Sequence, residues 1–164
     1  MTQIMHRSIV CWFVLCLALC GVGRSSESID SLKKALTDTL SIQTELALAQ
    51  KKFSIMSRAM AESERCLARE LLSASIAFRE VTEQARMAAQ IVSEMKSAED
   101  QSTARKYLGM AAHRAVTQGD SNLQLVDELL NRLTTPAAIV EAKIVRDEMI
   151  QLRTVWKPYA SEKW

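Results

Sequence analysis

The 85 residues from Arg24 to Leu108 contain neither glycine nor proline, and one apolar heptad threads most of that run. The seam begins at Ile29 and steps by three and four residues through Leu32, Leu36, Thr39, Gln43, Leu46, Gln50, Phe53, Ser57, Met60, Glu64, Leu67, Leu71, Ala74, Phe78, Val81, Ala85, Ala88 and Val92 to Met95. Fifteen of these 20 positions are apolar. A 3.5-residue apolar period places the same face of a helix against a neighbour turn after turn, so the segment reads as long helices packed along their length. No stretch alternates with the two-residue period of a strand.

The seam is weakest from Ser57 to Glu64, where two of three positions are polar. Nothing there has the residue types that usually stop a helix. The sequence therefore favours one first helix from about Ser28 to Ser97, with a break near 57–64 as the alternative. The seam flanks are apolar early (Ala35, Leu40, Ile42, Ala47, Ala49, Met56) and polar late (Ser63, Glu70, Thr82, Gln84). The first half is thus expected to meet several helices and the second half fewer. Downstream boundaries are clearer. Ser97-Ala98-Glu99-Asp100 has the form of a capping box. A helix over about 100–134 is expected to bury Ala104, Leu108, Ala111 and Ala115. Its apolar phase slips at Gly119, which predicts a kink, and resumes at Leu123, Val126, Leu130 and Leu133. Thr135-Pro136 is a cap residue followed by proline at the first helical position, and a last helix should run over about 136–157. The expected fold is all-α: an elongated antiparallel helical bundle or coiled coil.

The N-terminus has the look of a targeting segment. Arg7 precedes an apolar run from Ile9 to Gly21, and Gly21-Val22-Gly23 offers small residues for cleavage after Gly23. Residues 8–23 fall short of the ~20 that a membrane-spanning helix requires. Leu17-Ala18-Leu19-Cys20 departs from a bacterial lipobox at Leu19, which argues against a lipid anchor at Cys20. The expected organisation is a signal peptide over 1–23, one helical domain over 24–157 and an aromatic tail over 158–164, in a secreted or periplasmic protein. Removal of residues 1–23 lowers the net charge from +2 to +1. So small a charge lacks the field a nucleic-acid or membrane-surface binder uses. Three of the four cysteines lie in the targeting segment, leaving Cys66 alone. The mature fold then rests on burial, and an odd cysteine in an oxidising compartment points to a free thiol or an intermolecular disulfide.

Few residues suggest chemistry. Cys66 and Met87 fall at outward heptad positions, where a bridge between chains or a partner surface would need them. Met110 is outward as well. Met60, Met95 and Met149 sit on seams as flexible core fillers. In the tail, Trp156 should plug the core, while Tyr159 and Trp164 either fold back over the bundle end or anchor a partner. Seam residues Gln43, Gln50 and Glu64 either set register or line an exposed face. His113 falls on an outer face, and no metal-ligand or haem-attachment spacing accompanies it. No nucleophile lies beside a base, so no catalytic residue, cofactor or metal is expected and the chain does not read as an enzyme.

The expected function is a protein–protein interaction or structural module, with a protein partner or self-association. Two other readings stay open: a small-ligand or haem carrier using the bundle core, and a coiled coil tethered by an uncleaved N-terminal anchor.

Overall fold

A computed structural model describes the backbone of residues 3–160 and the side chains of residues 29–160, apart from that of residue 98. The expected cleavage after Gly23, the lipidation question at Cys20 and the anchor role of Trp164 lie outside the described side chains. Four α-helices follow in order: α1 (Gln3–Ser57), α2 (Glu62–Glu94), α3 (Ala98–Leu130) and α4 (Pro136–Trp156), closed by a 3₁₀ turn over Lys157–Tyr159. No strand occurs among the described residues. By internal contacts the chain divides into Met1–Lys34 and Ala35–Trp164. The second unit is an all-α bundle made from the last part of α1 with α2, α3 and α4.

Two sets of polar pairs establish that neighbouring helices are antiparallel. Gln43 donates to the Thr82 hydroxyl (3.3 Å), and Gln50, seven residues further along α1, donates to Ser75, seven residues back along α2 (3.0 Å). On the opposite side of the bundle, Arg146 pairs with Asp127 and Arg153 Nε with Asp120 (2.6 Å), again seven residues on and seven back. α2 packs against both α3 and α4, and the 3₁₀ turn rests on α3. α4 in turn lies beside α1. Burial first, then repulsion from Glu45 of α1 and from the neighbouring Asp147, push the Glu148 carboxyl above its ordinary range.

Burial follows the heptad seam closely. Leu46, Phe53, Leu71 and Phe78 are fully buried, and they share one core cluster with Val126, Leu129, Ala142, Val145, Met149 and Leu152. On α3 the centre of the stripe lies one residue from expectation at two places. Ala112 and Leu129 are buried, while Ala111 and Leu130 are half-buried. α3 sits between two neighbours, so its buried face is wider than a single seam.

Three expectations need correction. The chain does not continue as one helix from 28 to 97: α1 ends at Ser57 and α2 begins at Glu62. The connection is a series of three-residue turns, with Arg58, Ala59 and Met60 N–H groups donating to the carbonyls of Ile55, Met56 and Ser57. Ser57 turns its own hydroxyl onto the Ser54 carbonyl (2.8 Å), a local bond that competes with the helix ladder. Met60 stays buried through the turn, so the seam crosses the break in phase.

Nor does the bundle grip α2 on one narrow stripe. Thr82, read as a polar flank, is fully buried along with Ser75. Each hydroxyl donates to the carbonyl three residues back (2.8 Å) and accepts from a glutamine of α1. These small side chains let α1 approach while α2 also meets α3 and α4.

Finally, the phase slip at Gly119 is no break in α3, which runs through it as continuous α-helix with no positive φ. Its lack of a side chain makes room instead. A Cβ at Gly119 would stand 2.7 Å from Cε2 of Phe78.

Glu64 resolves the question of the polar seam positions in favour of structure. Only 8% exposed, its carboxylate accepts from the backbone N–H groups of Thr134 (2.6 Å) and Thr135 (2.9 Å) and from both threonine hydroxyls. It anchors the residues that lead into α4 from another helix, its charge lying at the positive end of α4, and it takes up the Thr135 hydroxyl, which makes no cap bond to the first turn. These donors, the Thr135 hydroxyl foremost, hold the Glu64 carboxyl at about 2, below its ordinary 4.5. The carboxylate therefore favours the fold above pH 4.5, and its contribution fades as pH falls from there toward 2. Thermal melts of wild type and Glu64→Gln should differ most near neutral pH and converge near pH 2. An undiminished difference at that acid limit would show that the charge is not what Glu64 supplies.

Candidate functional site

α2 and α3 are joined by a short connection whose cap was legible in the sequence. Ser97 is the N-cap of α3, its hydroxyl accepting from the Asp100 N–H (3.1 Å) and donating to the Asp100 carboxylate (2.6 Å). Gln101 reaches back to the Met95 carbonyl (2.7 Å). So fixed, the two helices leave a groove of about 370 Å³ along their shared outer edge. Ala88, Ile91 and Met95 form one wall, and Asp100, Thr103, Ala104 and Tyr107 the other.

Two large apolar side chains of its walls stand half or more in water, Ile91 (51%) and Tyr107 (65%), and the same two helices also expose Met87 (49%) and Met110 (54%). Met87 and Ile91 are four residues apart on α2, and Tyr107 and Met110 three apart on α3, so each pair forms a short ridge. Single exposed apolar residues are ordinary on folded proteins. Two such ridges on the helices that enclose a concave apolar strip are not. The outward faces of α1 and α4 also expose Leu48, Ile55, Val140 and Ile144. The groove between those helices mixes polar groups, Asp38, Ser41, Gln151 and Thr154, with apolar ones, Ile42, Ile150 and Val155.

Beside Met87, Arg86 directs Nε and a terminal nitrogen to the two oxygens of Glu83 (2.8 and 2.5 Å). This bidentate bond holds the Glu83 carboxyl below and the Arg86 guanidinium above their ordinary ranges. The pair is neutral as a unit and fixes the edge of the α2 ridge.

The residues singled out in the sequence do not all converge. Met87 is exposed on α2 but lines a separate hollow, with Gln43 of α1 and Arg79, Glu80, Glu83 and Gln84 of α2. Cys66 is a free, exposed thiol on α2, but it precedes Met87 by three heptads, about 30 Å along the helix. Tyr159 is half-buried, its ring 5.9 Å from that of Trp156, so it folds back on the bundle end. Met95, expected in the core, is half-buried and lines the groove. Ile91 and Tyr107 were missed. Each precedes a core residue, Val92 or Leu108, and only the pairing of α2 with α3 brings them together. His113 is half-buried on α3, and among the described residues no three histidine, cysteine or acidic side chains gather as a metal site would require. No helix among them is long and apolar enough to cross a membrane.

Comparison with known proteins adds no relative: no family model matches this chain, and neither curated proteins nor solved structures show significant similarity to it.

Proposed function

We propose that the chain is a helical-bundle interaction module that docks a protein along the α2–α3 groove. The observation that carries this reading is the pair Ile91 and Tyr107, more than half exposed on the facing walls of an apolar concavity, with Met87 and Met110 exposed on the same two helices. Aromatic and methionine side chains are enriched at the centres of protein interfaces, where they bring contact area and adaptable shape. The proposal includes an exported location, supported by Arg7, the apolar run that follows it and the small residues before Arg24.

A photo-crosslinking amino acid at position 107, with position 154 on the outer face of α4 as control, tests the reading in chain recovered from the exported fraction of its native source. Protein adducts from 107 and few from 154, on a chain that starts at Arg24, are expected. Equal labelling from both positions, or none, would count against the groove.

A further inference from the structure

The turn that joins α1 to α2 is built from residues that favour helix. Arg58, Ala59, Met60 and Ala61 are all good helix formers, with neither glycine nor proline among them. Ala61, the N-cap of α2, makes no side-chain cap bond, so no side chain of its own takes up the orphan N–H groups of the first turn of α2. The turn is closed by bonds of the tighter three-residue kind, from Arg58, Ala59 and Met60. Through this same stretch the seam passes from Phe53 by Ser57, Met60 and Glu64 to Leu67 in unbroken steps of four and three. A helical hairpin needs no such phase across its turn, because each helix can rotate about its own axis. One continuous helix does need it.

We propose that this turn is a hinge, and that two copies of the chain exchange α1 through it to form a domain-swapped dimer. In the dimer residues 35–94 run as one helix, and α1 of each copy takes the place of α1 in the other. Straightening gives the N–H groups of Glu62 and Ser63 the carbonyls of Arg58 and Ala59 as helical partners. α1 keeps the contacts it makes within one chain, now with another. Gln43 still donates to a Thr82 and Gln50 to a Ser75, and both pairs are centred on the junction of Glu62 and Ser63, where the two-fold axis falls. Glu64 stays on its own Thr134 and Thr135, because α2 carries α3 and α4 with it. Concentration therefore governs the exchange. Each dimer presents two α2–α3 grooves, one per copy.

Proline at position 62 separates the two forms. In the monomer position 62 opens α2, where proline is tolerated, and Ala61 already has the extended backbone (φ −60°, ψ 154°) that a residue before proline adopts. In a continuous helix the same proline removes a bond of the ladder and collides with the preceding turn. Glu62 itself contributes only exposed ion pairs, to Arg65 and Arg69. The purified chain, refolded from urea at hundreds of micromolar under reducing conditions, should give a dimer fraction by size exclusion with light scattering. Glu62→Pro should weaken dimerisation at least about a hundredfold with its helical circular dichroism kept. If that variant does not fold, Ala61→Ser, which supplies the missing cap, should weaken it about tenfold. A photo-crosslinking amino acid at position 43 reports which chain supplies α1. Denaturing gels should show it joined to α2 of a second chain in the dimer fraction, and to its own α2 in the monomer fraction, with the adducts near Thr82. A chain that yields no dimer overturns the proposal. So does a dimer crosslinked only within each chain, or one that forms as readily with both substitutions.

Discussion

Phe78→Ala should cost about 3–5 kcal/mol, the range for removing a fully buried aromatic ring, and so consume much of the stability of a domain this size. Phe78 is completely buried in the shared core, at the level where α2 crosses Gly119 of α3. The informative experiment is the cycle with Gly119→Ala. In the wild-type background the new Cβ would stand 2.7 Å from the Phe78 ring. Overpacking of this kind costs about 1–3 kcal/mol, against roughly 1 kcal/mol gained by replacing glycine in a helix interior. Gly119→Ala should therefore be neutral to destabilising when Phe78 is present. In the Phe78→Ala background the clash is gone, and the same substitution should stabilise by up to about 1 kcal/mol. Urea denaturation of the four proteins measures both steps. An effect of Gly119→Ala that is the same in both backgrounds would mean that the glycine answers to something other than the ring.

Trp156→Ala is expected to be as damaging, about 3–5 kcal/mol. Trp156 is fully buried in the last turn of α4, and Tyr159 packs on it from the turn that rests on α3. With only 21 residues, α4 is the shortest of the four helices. It is fixed by Glu64 at its start and by this indole at its end. The indole N–H has no hydrogen-bond partner among the described residues, so the contribution of Trp156 is one of packing. Trp156→Phe should accordingly lose only about 1–2 kcal/mol. Thermal melts of the two variants separate these readings. A phenylalanine variant as unstable as the alanine one would point to a bond from the indole nitrogen.

The fold class, the last two helices and most of the core were legible in the sequence because a heptad seam encodes burial directly. Leu46, Phe53, Leu71, Phe78 and Val92 all fall where the period puts them. The break between α1 and α2 was not legible, because no residue in 58–61 forbids a helix and Ala61 is an unremarkable cap. What ends α1 there is tertiary: Met60 must stay in the core and Glu64 must reach Thr134 and Thr135, 70 residues away or more. For the same reason the partners of Gln50 could not be read from spacing. The role of Gly119 was not legible, because a break in apolar phase does not reveal that a ring from another helix fills the space beside it. Of the candidate site's surroundings, only Met87 and Met110 were visible, as outward apolar residues on a helical period, and neither lines the groove itself. Ile91 and Tyr107 acquired meaning only when α2 and α3 proved to be neighbours.

Docking along the α2–α3 groove should leave a positional signature. The most direct measurement is the yield of protein adducts from a photo-crosslinker at position 107 relative to position 154, in the compartment where the chain resides. Adducts should depend on position 107 and disappear when Ile91, across the groove, is replaced by aspartate in a chain that remains helical. Adducts that persist with Ile91→Asp, or that form as readily from position 154, would contradict it.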